Sequence, residues 1–111
     1  MPHQTPQDLP ISGDYRDFAA VLLSPEEINR LHVVNWERYS EDGLGRAAIA
    51  GFYRKGGGFY MLRYLYEAQE PATTILLPAK IEEPKAHVAE ICADFGFAAD
   101  EIEIFADANV G

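Results

Sequence analysis

The sequence predicts an α+β fold in which helices pack on a four-stranded, mostly antiparallel sheet, with the element order α-α-β-β-β-α-β. Three segments support this prediction. "SPEE" at residues 24–27 is a helix-start signal, the aromatic run around three glycines at residues 50–68 is typical of a β-hairpin, and residues 82–96 show helical spacing before an alternating strand. The length of 111 residues suits one domain.

The first third of the chain is predicted to supply the lead-in and both early helices. Residues 1–13 hold three prolines among polar neighbours and suit a flexible lead-in, so the single α+β domain is placed at residues 14–111. Residues 14–23 are predicted as a helix, although the run is short enough to be a strand. The second helix is predicted to begin at Ser24, whose side chain can cap the backbone, and to end near Ser40, although a β-branched pair disfavours its second half.

Residues 46–67 are predicted to form the hairpin, with the first two glycines of "GGG" at its tip. The numbers of facing residues then sum to about 113, so that Phe52 faces Met61. Arg54 and Arg63 fall on the same face as that pair. The alternative is that the alanine-rich first half, residues 45–55, is a helix stopped by the glycines.

The last third is predicted as strand, helix and strand. Residues 73–77 are β-branched and apolar, and the following helix has Pro84 near its start and Gly96 at its end. Four of its residues have the spacing of a core face: Val88, Ile91, Cys92 and Phe95. Ile102 and Ile104 alternate with acids in the final strand. This order favours a right-handed crossover with the two strands parallel.

Composition excludes several classes of protein. Hydrophobic residues make up 48% of the chain, too many for intrinsic disorder. A single cysteine cannot form an internal disulfide and no signal-peptide pattern opens the chain, so we expect a cytoplasmic protein. No apolar run is long enough to span a membrane. The formal charge of −9 opposes direct binding to nucleic acid.

Charge is distributed unevenly along the chain. Residues 43–66 contain four bases and no acid, whereas the formal charge is −5 over residues 1–42 and −8 over residues 67–111. The hairpin is therefore the one basic segment of an acidic protein. Glycine-rich turns beside cations can bind phosphate, but the P-loop ending is missing here and a plain turn is favoured.

No motif predicts an enzyme, a cofactor or a metal. "GLGRAA" at residues 43–48 matches a dinucleotide fingerprint only in spacing, since a polar segment precedes it instead of a buried strand. His87 lies among acids on the outer face of its helix, which indicates a solvated face more than a metal site. Cys92 occupies a core position and lacks a visible base partner. No catalytic residue is therefore assigned.

We expect a small acidic protein-binding module of the inhibitor, immunity or anti-defence type, which occludes a basic, often nucleic-acid-handling, surface of a target protein. The hairpin would supply aromatic and arginine anchors, and the C-terminal third would supply carboxylates. The predicted partner-binding residues are Phe52, Arg54, Met61, Arg63, Glu90, Asp94, Glu101 and Glu103.

A second hypothesis is a domain or small enzyme that binds a small anionic molecule. In that case Arg46, Arg54, Arg63 and the tyrosines would hold the ligand against the sheet. A third is a homodimer through the exposed face of the hairpin. The sequence alone does not choose between the acidic surfaces and the basic hairpin as the functional face.

Overall fold

A computed structural model describes residues 3–4, 15–41, 43, 45–54, 58–69 and 72–105. In this part of the chain there are seven strands: β1 His3–Gln4, β2 Tyr15–Val21, β3 Glu37–Glu41, β4 Gly45–Tyr53, β5 Phe59–Leu65, β6 Thr73–Pro78 and β7 Ile102–Ile104. The two helices are α1 Pro25–Leu31 and α2 Pro84–Phe95, and a 3-10 turn covers Ala99–Glu101.

All the described strands join one antiparallel sheet. Six of them follow the order β1-β4-β5-β6-β2-β7, and β3 also pairs with β4. Since β5 occupies one edge of β4, β3 and β1 share the other edge, β3 against residues 45–49 and β1 against residues 52–53. The predicted four-stranded sheet and its element order are therefore wrong, although helices and strands do combine as an α+β fold.

The predicted first helix is a strand, β2, in the interior of the sheet between β6 and β7. Its residues from Phe18 to Val21 are all buried. A strand covered on both faces shows a continuous apolar run instead of an alternation, and such a short run resembles a helix segment. The register shifts between Asp17 and Ala19, which lets Phe18 and Ala19 both join the same core cluster.

Helix α1 begins as predicted and ends earlier than predicted. Glu27 N donates to Ser24 Oγ at 3.3 Å and Ser24 N donates to Glu27 Oε1 at 3.0 Å, which completes a capping box. The helix ends at Leu31, and Asn29 Oδ1 then accepts hydrogen bonds from Val34 N and Trp36 Nε1. The last four residues of the predicted helix, 37–40, belong instead to the strand β3.

The hairpin of β4 and β5 is present, and residues 45–53 are strand instead of helix. Its register is one residue from the prediction: Phe52 faces Tyr60, and Gly51 faces Met61. The hydrogen bond from Arg54 N to Gly58 O, at 2.9 Å, closes the hairpin around residues 55–57, an odd number. The predicted placement of Gly56 and Gly57 lies outside the described residues.

This one-residue difference redistributes the side chains between the faces of the sheet. Phe52 and Arg54 lie on the face that α1 and α2 cover, whereas Met61 and Arg63 lie on the opposite face. The prediction that these four residues share a face is therefore wrong.

The main core lies between the sheet and the two helices. Phe95 of α2 makes an edge-on contact with Phe52 and stacks on Phe97, with ring centroids 5.3 and 5.0 Å apart. Phe52 stacks on Tyr60 at 5.2 Å. On the opposite face, a smaller cluster buries Ile49, Met61 and Leu76 beneath three partly buried aromatic rings: Tyr15, Tyr39 and Phe59. The sheet is thus buried on both faces at its centre.

Helix α2 agrees with the prediction. Pro84 opens it, Gly96 ends it with φ +81°, and all four predicted core residues are buried. The strands on either side of it, β6 and β7, are both antiparallel to β2 and hence parallel to each other, but β2 lies between them. Neither described helix is long and apolar enough to cross a membrane.

Candidate functional site

A pocket of about 330 Å³ lies where β3 pairs with the start of β4. Its lining combines guanidinium groups, hydroxyls and aromatic rings: Arg38, Tyr39, Ser40, Arg46, Ala47 and Tyr66. The volume is at the lower end of the range for pockets that take small organic ligands. We call this site the β3–β4 pocket.

Strand pairing places three polar lining residues, Arg38, Ser40 and Arg46, on one face of the sheet. Arg38 pairs with Ala48 and Ser40 pairs with Arg46, so these side chains lie on the helix-covered face. Tyr66 N donates to Arg46 O at 3.0 Å, which holds the residues after β5 beside the start of β4. Glu37 pairs with Ile49 on the opposite face. Because side chains alternate along β3, Arg38 and its neighbour Glu37 lie on opposite faces of the sheet.

The pocket is locally basic in an acidic chain. Arg46 Nε donates to Glu67 Oε1 at 3.4 Å, and Arg46 N donates to Glu67 Oε2 at 3.2 Å. Among the described residues Arg38 has no carboxylate within salt-bridge distance. Among the described residues, Glu67 is therefore the one carboxylate within salt-bridge distance of either guanidinium group.

The Tyr66 ring forms a further part of the wall, and Tyr64 packs against it. Arg46 Cζ lies 6.0 Å from the centroid of the Tyr66 ring, and Tyr64 contacts Tyr66 edge-on at 5.0 Å. Burial raises the pKa of Tyr64, and the negative charge of Glu26 raises it further. The Tyr66 hydroxyl is buried and has no hydrogen-bond partner within the described part of the chain. Such a group is costly unless a partner satisfies it.

The four predicted hairpin anchors do not form a contact surface. Phe52 and Met61 are only 2% and 0% exposed, so a partner cannot reach them in this conformation. Arg54 forms an ion pair with Glu90 and contacts His87 Nδ1, both on α2. Arg63, on the other face, donates to both Asp17 carboxylate oxygens at 3.2 and 3.3 Å. The two arginines hold elements together.

The predicted acidic contact residues fall into two groups. Glu90 pairs with Arg54, and Glu101 accepts hydrogen bonds from Ala98 N on its carboxylate and from Leu22 N on its backbone. Asp94 and Glu103 have exposed side chains, on α2 and on the edge strand β7. The first group supports the fold, and the second is available to a partner.

Two other predictions concern residues that have no place in the pocket. Cys92 is buried in the main core, as predicted, and burial raises its pKa from 9.0 to about 11. The thiol therefore stays protonated and is a poor nucleophile at neutral pH. The dinucleotide-like segment continues as the strand β4, not as a helix. Among the described residues no three His, Cys, Asp or Glu side chains form a metal-binding group.

Sequence reasoning found Arg46 and the tyrosines but missed Arg38 and Ser40, because residues 24–40 were predicted as one helix. The signal was the alternation in "WERYSE". Trp36, Arg38 and Ser40 are its even-numbered residues, and two of its odd-numbered residues are acids. This signal was weak because neither the even-numbered nor the odd-numbered residues of the segment are all apolar.

Comparisons with known proteins give no relative for this chain. No protein-family model, no curated protein and no solved structure matches it. The function must therefore be argued from the pocket and the surface.

Proposed function

We propose that this protein binds a small organic anion in the β3–β4 pocket. The observation that carries the proposal is that Arg38 and Arg46 line a pocket of about 330 Å³ beside the buried hydroxyl of Tyr66. These two arginines belong to the one basic segment and the strand paired with it in a chain with a formal charge of −9. This is the second of the three hypotheses that the sequence suggested, with Arg38 replacing Arg54 and Arg63.

The lining defines the chemical class of the ligand. A guanidinium group donates two parallel hydrogen bonds to a carboxylate or phosphate, and two such groups suit an anionic end. Ser40 adds a hydroxyl, and the Tyr66 ring adds apolar surface beside Arg46. The best match is a planar or aromatic molecule that carries one oxyanion group.

Electrostatic range favours a small ligand over a polyanion. At physiological salt, charges separated by more than about 8 Å are largely screened, so the two arginines dominate inside the pocket. A nucleic acid would also meet the acidic surface outside the pocket and be repelled. The net charge therefore selects against long polyanions without preventing the binding of a compact one.

Isothermal titration calorimetry with benzoate, phenyl phosphate and neutral benzamide tests the proposal. We expect benzoate or phenyl phosphate to bind and benzamide not to bind. Arg38→Gln and Arg46→Gln should each weaken binding by about three- to tenfold, since Arg46 is exposed and its bonds are partly screened. Lys85→Gln, an exposed position on α2, removes the same charge outside the pocket and should have little effect.

Two results would contradict the proposal. One is equal binding of benzamide and benzoate, which would show that the anionic group is not recognised. The other is an equal loss of affinity in Lys85→Gln and in the two pocket variants, which would indicate an effect of net charge alone.

A second candidate is the acidic protein-binding module that the sequence suggested first. Its support is the exposure of Asp94 and Glu103, which can face a basic target surface. The buried positions of Phe52 and Met61 remove the hairpin anchors from this hypothesis. It therefore rests on charge alone and ranks below the pocket.

Affinity capture from the native host tests this second function. A target that binds through the acidic face should be retained by the tagged wild-type protein at low salt and lost with Asp94→Asn/Glu103→Gln. Capture that is unchanged by the double substitution would place the interface elsewhere, and the absence of any stoichiometric protein would reject the function.

A further inference from the structure

We propose that Glu67 is an internal occupant of the anion-binding position, so that a ligand enters the β3–β4 pocket by displacing the Glu67 carboxylate. The inference rests on the proposed function and names the group that competes with the ligand. Both Glu67 oxygens accept hydrogen bonds from a single lining residue, Arg46: Oε2 from its backbone N–H at 3.2 Å and Oε1 from Nε at 3.4 Å. A ligand carboxylate would use the same donors.

The backbone beneath Glu67 allows this close approach. Gly45 has φ +83°, and a Cβ atom at that position would overlap the Glu67 carboxylate. Glycine is the residue that accepts both the left-handed conformation and the close contact without strain. At the start of β4, Gly45 therefore leaves room for an oxyanion directly beside the backbone N–H of Arg46.

The pair is exposed enough to exchange. The Arg46 side chain is 73% exposed and that of Glu67 is 51% exposed. Ion pairs at such positions contribute little net stability, because water solvates both groups when they separate. An incoming oxyanion can therefore replace Glu67 at Arg46 while the displaced carboxylate moves into solvent.

Displacement gives Glu67 a role in selectivity. A neutral molecule cannot replace the ion pair that Arg46 loses when Glu67 leaves, whereas a carboxylate or phosphate can. The internal anion thus lowers the affinity for every ligand that needs the Arg46 donors, and only a ligand with its own oxyanion restores the interaction that Arg46 loses.

Calorimetric titration with benzoate, using Glu67→Gln and the matched control Glu103→Gln, tests the inference. Both variants remove one negative charge, and Glu103 lies on the opposite sheet edge from β3. Glutamine keeps an oxygen that can accept from Arg46 N. We expect Glu67→Gln to bind benzoate about three- to fivefold tighter than wild type, an advantage that shrinks as salt rises, and Glu103→Gln to stay near wild type.

The outcomes separate the inference from the proposed function. If wild type binds benzoate and Arg38→Gln binds it more weakly, but Glu67→Gln and Glu103→Gln bind alike, the displacement of Glu67 is refuted and the pocket stands. Weaker binding by a folded Glu67→Gln protein also refutes it, since Glu67 would then position Arg46 for the ligand. If neither wild type nor Glu67→Gln binds benzoate or phenyl phosphate, both ideas fail.

Discussion

Cys92 should make the stability of this protein depend on alkaline pH. Burial in the core beneath α2 raises the pKa of the thiol from 9.0 to about 11, because the thiolate loses its hydration there. The folded state therefore retains the proton over a range in which the unfolded chain releases it. Stability from this group is complete below pH 9 and is lost as the pH rises towards 11.

The two pKa values give the size of the effect. At pH 11 the unfolded thiol is almost fully ionised, whereas the folded thiol is half ionised. The equilibrium constant for unfolding is then about 50-fold larger than at neutral pH. This corresponds to about 2 kcal/mol of unfolding free energy lost between neutral pH and pH 11.

Urea unfolding of wild type and Cys92→Ala at pH 7, 9, 10 and 11 measures this effect, because these values run from neutral pH to the raised pKa of about 11. The substitution adds a cavity cost that does not depend on pH, and other alkaline groups titrate alike in both proteins. We expect the difference in unfolding free energy between the two proteins to be constant up to pH 9 and to shrink by about 2 kcal/mol at pH 11. Parallel stability curves would refute the burial argument.

Three further substitutions test the packing, the helix cap and the turn. Tyr60→Phe should leave stability unchanged or raise it by up to about 1 kcal/mol, because the hydroxyl is buried without a partner among the described residues; a clear loss would reveal a partner. Ser24→Ala should lower the urea-derived unfolding free energy by about 1 kcal/mol while Ser24→Thr keeps most of it, and equal losses would exclude capping. Gly45→Ala and Gly43→Ala should lower the thermal unfolding temperature by similar amounts, because both glycines have positive φ and the Glu67 carboxylate that a Gly45 Cβ would meet is the mobile end of an exposed side chain; a much larger loss at Gly45 would show that Glu67 is held in place.

Local signals in the sequence identified some elements correctly. The capping residues at Ser24, the pattern of α2 and its end at Gly96 depend on neighbours a few residues away, and these predictions are confirmed. The hairpin was found for the same reason, because a glycine-rich turn lies between two aromatic strands. Its register was wrong because an odd loop and an even loop share the same residue types.

The candidate site was harder to predict than the elements that form it. Arg46 and Tyr66 were already suspected, but Arg38 joins them only because β3 pairs with β4. This strand pairing could not be predicted, because the sequence of β3 is also compatible with the end of a helix. Arg54 and Arg63 resembled Arg46 in the sequence, yet their side chains are only 13% and 16% exposed in ion pairs with α2 and β2, whereas Arg46 remains 73% exposed beside Glu67.

By itself the sequence determined what local chemistry controls: the α+β composition, the helix boundaries marked by caps, and a basic aromatic hairpin in an acidic chain. The tertiary structure decided which strands are neighbours and therefore which face each side chain takes. It placed β2 in the interior of the sheet, buried Phe52 and Met61, and left Arg38 and Arg46 in one pocket. The reason is that strand pairing joins residues distant in sequence, and a shift of one residue exchanges the two faces of a strand.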